Sequence, residues 1–135
     1  MSTEPSIAVV DDDPSMREAT IRLLRSLRFV AEGFSSSEEL LKSDFLQIAS
    51  CLIADMRMSG ISGLALYRQL IGAGSPIPTI LITAHPGNAM RERALNAGLA
   101  GYLIKPFGEK ELLDCLATAI GPHRSAVAQT AVVAS

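Results

Sequence analysis

Short apolar runs alternate along the chain with longer stretches whose hydrophobic side chains recur three and four residues apart. Ile7-Ala8-Val9-Val10 is continuously hydrophobic, as a strand buried on both faces is. Between Pro14 and Arg28, the residues Met16, Ala19, Thr20, Leu23, Leu24 and Leu27 keep the rhythm of a helix that buries one stripe. Asp13 stands at its N-cap and Pro14 at its first position, where a missing N–H costs nothing. A second strand over Phe29 to Phe34 is weakened by Glu32 and Gly33, and Ser35-Ser36-Ser37-Glu38-Glu39 opens a short helix with the spacing of a capping box. Cys51-Leu52-Ile53-Ala54 predicts a third strand ending at Asp55, and a turn through Ser59, Gly60 and Ser62-Gly63 leads to a helix bearing Leu64, Leu66, Tyr67 and Leu70. Thr79-Ile80-Leu81-Ile82 predicts a fourth strand, followed by Thr83 and a helix from about Asn88 to Ala97. Tyr102-Leu103-Ile104 is a short fifth strand closed by Lys105-Pro106. The last helix sets Leu112, Leu113, Leu116 and Ile120 on one face, and Gly121-Pro122 stops it.

Parallel strands need crossovers, so five strands alternating with five helices predict a doubly wound α/β fold, a five-stranded parallel sheet covered on both faces. With 135 residues, 48% of them hydrophobic, the chain fills one core and not two. The domain is expected over residues 1–121. Residues 122–135 read as a flexible tail or linker, because His123 to Ser135 is mostly Ala, Val, Ser, Thr and Gln with no stable period. A net charge of -2 with acids and bases intermixed offers no basic patch for counterion release, so no direct binding of nucleic acid is expected. No apolar run approaches the roughly 20 residues of a membrane helix, and Met1 to Pro5 lack the basic start of a secretory signal. The expectation is a cytoplasmic protein without membrane contact, in which Cys51 and Cys115 are reduced core thiols. His85 and His123 have no neighbours at zinc-ligand spacing.

Ligands of open parallel sheets bind outside the carboxyl ends of the strands, near the point where strand order reverses. The first strand ends in Asp11-Asp12-Asp13, the third in Asp55, the fourth in Thr83 and the fifth in Lys105. Acids, a hydroxyl and an ammonium are thus delivered to one edge by separate pieces of chain. If Asp11, Asp12 and Asp55 converge, each pair about 4 Å apart repels by roughly 4 kcal/mol at an effective dielectric of 20, so the cluster must protonate or recruit a cation. Oxygen ligands with room for water and phosphate suit Mg²⁺ or Mn²⁺. Asp55, alone at the tip of a buried strand, is placed as a nucleophile, Lys105 as a charge partner for a phosphoryl oxygen and Thr83 as a hydrogen-bond donor, with the small Ala84 leaving the approach open. Asp13 is expected to cap a helix rather than bind a ligand.

Val9-Val10-Asp11-Asp12, Asp55 with Met58 and Gly60, Ile82-Thr83-Ala84 and Tyr102-Leu103-Ile104-Lys105-Pro106-Phe107 together resemble the receiver domain of two-component response regulators, closest in look to the FixJ type, over Ser6 to Ile120. The resemblance implies a flavodoxin-like fold and a phosphorylation-activated switch, in which Asp55 accepts a phosphoryl group from a histidine kinase or phosphotransfer protein. It implies that Asp11, Asp12, Asp55 and the Arg57 backbone carbonyl hold the metal, that Thr83, Ala84, Tyr102 and Lys105 bind the phosphoryl group or relay its arrival, and that Lys105-Pro106 is a cis peptide. The implied output is a surface of helix four, strand five and helix five, through which a phosphorylated homodimer would form. Ser59 departs from the proline common in that family's turn. Arg57 and His85 are expected to face solvent beside the site. Two further readings are a haloacid-dehalogenase-type phosphatase, disfavoured because the chain has no length for a cap domain, and a receiver-like interaction module that no longer takes phosphate. Neither G-x-x-x-x-G-K-[ST] nor G-x-G-x-x-G occurs.

Overall fold

The computed structural model describes residues 5–58, 60–84 and 87–121, with Asn88 and Met90 described by backbone alone. Ser59, His85 and residues 122–135, and with them the readings of the Ser59 turn, of His85 and His123 and of the tail, lie outside the described residues. The strands are β1 (Ser6–Val10), β2 (Val30–Phe34), β3 (Cys51–Asp55), β4 (Thr79–Thr83) and β5 (Gly101–Ile104). The helices are α1 (Pro14–Ser26), α2 (Ser37–Leu41), α3 (Gly63–Gly72), α4 (Asn88–Asn96) and α5 (Glu109–Ile120), with a 3-10 turn at Asp44–Gln47. All strand pairs are parallel, in the order β2-β1-β3-β4-β5. The chain leaves β1 toward β2 and returns on its other side as β3, so the reversal of order, and the crevice it opens, lies between β1 and β3.

Alternation along the strands divides the core into two layers. Ala8, Val10, Leu52, Ala54 and Leu81 face one side and pack with Leu40, Leu66, Tyr67, Leu70 and Leu99 under α2, α3 and α4. Ile7, Val9, Cys51, Ile53, Ile80, Ile82 and Leu103 face the other, against Leu24 of α1 and Leu112 and Leu116 of α5. All residues of β3 and β4 are buried, which is why their sequences read as unbroken apolar runs. By contrast, of the described side chains of α4 only Ala94 is buried.

Asp13 caps α1, its carboxylate accepting from the N–H groups of Ser15 at 3.0 Å and Met16 at 3.4 Å. The helix stops at Ser26, short of the expected Arg28. Arg28 adopts φ 72° while the Phe29 N–H donates to the Leu24 carbonyl at 3.0 Å, a left-handed C-terminal cap made without glycine. At α2 the Ser36 hydroxyl accepts from the Glu39 N–H at 3.0 Å, but Glu39 Oε1 accepts from the N–H of Ser35, at 2.7 Å, instead of that of the cap residue. Cys51 and Cys115 are free thiols, the first buried and the second half-buried.

Candidate functional site

Register brings the acidic strand ends level. Val10 pairs with Ala54 and Asp55 with Ile82, so Asp11, the next residue after Val10, lies beside Asp55, while Thr83 pairs with Ile104, just before Lys105. The Asp11 N–H donates to the Phe34 carbonyl at 3.1 Å, and its Oδ1 accepts from the Asp13 N–H at 2.9 Å. Asp55 Oδ1 accepts from the Arg57 N–H at 3.1 Å, and the Met56 N–H donates to the Ile82 carbonyl at 2.7 Å. Lys105 is tied to β4 by its own N–H, which donates to the Thr83 carbonyl at 2.8 Å, and its peptide bond to Pro106 is cis. Its Nζ lies 2.8 Å from Asp55 Oδ2 and 3.6 Å from Asp11 Oδ2. Behind Asp55, Gly63 closes the loop with an N–H donated to the Met56 carbonyl at 3.3 Å, and a Cβ there would collide with the Asp55 carbonyl oxygen and lie 2.8 Å from Leu81.

Asp11 and Asp55, only 3% and 8% exposed, form with one ammonium a cluster largely withdrawn from water. Burial pushes the Asp11 carboxyl above its ordinary range. The Asp13 N–H and the Lys105 charge pull it down without cancelling that rise, to which the neighbouring Asp55 adds. Burial alone would lower the Lys105 ammonium, but its hydrogen bond to Asp55 and the charges of both acids outweigh this and hold it above the ordinary lysine range. The repulsion expected between converging acids is therefore answered within the chain by Lys105.

Thr83 is buried at the tip of β4, Ala84 is exposed just beyond it, and the Arg57 side chain is exposed. Asp12 differs from its buried neighbour Asp11 in exposure. It is exposed, since successive residues leaving a strand point in different directions. Among the described residues no group of three or more acids, histidines or cysteines gathers as a metal-binding set. The donors at hand, Asp11 and Asp55 Oδ2, are both hard oxygens, and a pair of carboxylates suits an ion that keeps several waters, as Mg²⁺ does. Tyr102 is half-buried and packs against the layer beneath α2, α3 and α4, with its hydroxyl enclosed and lacking a hydrogen-bond partner among the described residues.

Sequence reading missed Arg17 and Gly63. Arg17 Nη1 donates to the Asp11 carbonyl at 2.7 Å, a reach that nothing in the helical stripe discloses. Gly63 read only as part of a turn.

A doubly wound sheet with buried acids and a lysine at its switch point defines an α/β domain whose chemistry sits at the carboxyl edge of the strands. The family model of the response regulator receiver domain matches residues 7–117, and the chain belongs to that family, as its motifs imply. Membership makes it a signalling domain, a phosphorylation-dependent switch. It is 39% identical over 118 residues to Nodulation protein W of Bradyrhizobium diazoefficiens, an alignment covering 87% of this chain and 52% of that protein. The structure of the response regulator StyR matches with a TM-score of 0.79 at 38% identity, covering 98% of this chain and 66% of that one. The crystal structure of FixJ-N matches with a TM-score of 0.77 at 28% identity, covering 87% and 94%. The chain spans about half the length of the curated relatives it matches first. No helix among the described residues is long and apolar enough to cross a membrane.

Proposed function

We propose that Asp55 is the phosphoacceptor, taking a phosphoryl group from a histidine kinase or phosphotransfer protein in the cytoplasm. One observation carries the reading: Lys105 Nζ is 2.8 Å from Asp55 Oδ2 and 3.6 Å from Asp11 Oδ2, so a cation and a second acid already stand around the carboxylate that would react. An Asp55 oxygen attacks phosphorus, the P–N bond of the donor phosphohistidine breaks, and its electron pair stays on the imidazole nitrogen. Lys105 pairs with one phosphoryl oxygen, while the Thr83 hydroxyl and the Ala84 N–H donate to others. Asp11, Asp12, Asp55 and the Arg57 carbonyl would hold Mg²⁺ or Mn²⁺, Asp12 from its exposed rim. When bound, the ion supplies positive charge against the phosphoryl oxygens. Hydrolysis of the acyl phosphate returns Asp55 to its free state.

The added phosphoryl group brings roughly two negative charges. Thr83 moves toward it and Tyr102 settles into the space behind, reshaping the face of α4, β5 and α5. Leu95 on α4 and Ile104 on β5, 45% and 42% exposed, support an interface there, through which the phosphorylated chain forms a homodimer and controls an output partner in transcription. Residues 1–121 act as the receiver and residues 122–135 as its tail or linker, a division supported by composition and by the match that ends at residue 117.

The test is incubation with Mg²⁺ and acetyl phosphate. Wild-type chain is expected to gain one phosphoryl group and Asp55→Asn none, and equal incorporation in both refutes the assignment. Size-exclusion chromatography with beryllofluoride reads the dimer, and an unchanged elution volume removes the proposed output.

A further inference from the structure

Gly33 interrupts β2 in a sequence otherwise suited to a strand, and the structure gives the interruption a purpose. A Cβ on Gly33 would lie 2.5 Å from Ile21 Cδ1 and 3.1 Å from both Cγ and Cδ of Arg17, so the stem of Arg17 runs over bare backbone. Crossing there, the guanidinium reaches the carbonyl of Asp11, to which Nη1 donates at 2.7 Å. That carbonyl belongs to the planar peptide joining Asp11 to Asp12, so holding the oxygen fixes the whole plane. The plane in turn fixes ψ of Asp11 and φ of Asp12, the torsions from which both carboxylates are aimed. The other side of Asp11 is already pinned, by its N–H on Phe34 and its Oδ1 on the Asp13 N–H.

We infer that Arg17 is a positioning residue for the cation-binding acids: laid across Gly33, it holds the Asp11–Asp12 peptide and so sets the direction in which the two carboxylates are presented to a divalent ion. This rests on the metal and phosphoacceptor reading above. Arg17 acts on the acids through their shared backbone, as a hydrogen-bonding support behind a metal ligand does.

The experiment is calorimetric titration of Mg²⁺ into the full chain without phosphodonor, alongside urea unfolding in the absence of Mg²⁺ and acetyl phosphate labelling of Asp55. Arg17→Met keeps the apolar stem and removes the donors. It is expected to weaken Mg²⁺ binding on the order of 10-fold while the metal-free urea midpoint stays near that of wild type. Arg17→Lys, which retains a cationic donor, is expected to recover part of the loss. Unchanged Mg²⁺ affinity in Arg17→Met, with Asp55 labelled normally, overturns the inference and leaves the phosphoacceptor reading intact. Wild-type chain that binds Mg²⁺ but is not labelled overturns that reading alone, and wild-type chain that binds no Mg²⁺ overturns both. If Arg17→Met does not fold, Gly33→Ala, which crowds the Arg17 stem from β2, is read in its place, and wild-type affinity there counts against the inference.

Discussion

Burial raises the Asp11 carboxyl more than the Asp13 N–H and the Lys105 ammonium lower it, so its ionised form opposes folding at neutral pH. A carboxyl whose folded value lies above its unfolded one loses that opposition as pH falls through the folded value. Asp11→Asn is therefore expected to raise urea stability at pH 7 by about 1 kcal/mol, with the gain shrinking toward pH 4, and to weaken Mg²⁺ binding; a loss of stability at pH 7 would contradict this. Lys105 has the opposite sign. Its value is raised by pairing, so the stability it contributes is full below the ordinary 10.5 and is lost as pH climbs through the folded value above that. Lys105→Met strands two buried carboxylates and is expected to cost about 3 kcal/mol at pH 7, less in acid, where one of them can protonate. Tyr102→Phe removes an enclosed hydroxyl that lacks a partner among the described residues, and urea titration should show a gain of about 1 kcal/mol. Asp11, Asp55 and Lys105 were legible in the sequence because each terminates or directly follows an apolar run, and strand ends share an edge. How far Asp12 is exposed beside a buried Asp11 was not legible, because the degree of exposure beyond a strand end depends on torsions that adjacent letters do not record.

At the scale of elements, the boundaries that sequence placed correctly are those marked by local chemistry. Asp13 and Pro14 start α1, Ser36 caps α2, and Gly121 ends α5 at φ 75°. The C-terminus of α1 carried no such mark, since the position that turns left-handed holds Arg28, and a stripe ending in Leu27 gives no reason to stop sooner. A non-glycine residue in that conformation costs roughly 1–2 kcal/mol, so Arg28→Gly is expected to raise the urea stability by about 1 kcal/mol without altering Mg²⁺ affinity. A neutral or lowered midpoint would mean that the arginine side chain offsets its own backbone. The 3-10 turn at Asp44–Gln47 escaped notice because so short a segment completes no hydrophobic period. Gly33 read only as a weakness in the second strand, and the approach of Arg17 to it emerges from the structure alone.

For the whole molecule, strand and helix alternation was enough to read a parallel sheet wound on both faces, because few topologies satisfy short right-handed crossovers. Which residues stand level across the sheet required the observed register. Cys51, fully buried in the central strand, has its thiol pushed up to about 12, chiefly by burial. Native protein at pH 8 should thus be alkylated at Cys51 only through global opening, and saturating Mg²⁺ should slow that reaction by stabilising the folded state; rapid labelling that Mg²⁺ leaves unaffected would show local access instead. The single described anchor of α4, Ala94, has a wider consequence. The other strands and helices can lose little without unravelling, whereas a helix whose described side chains bury a single methyl group can exchange its outward residues almost freely. Lineages sharing this scaffold could therefore recruit new correspondents by rewriting α4, with the chemistry at the far strand tips left unedited.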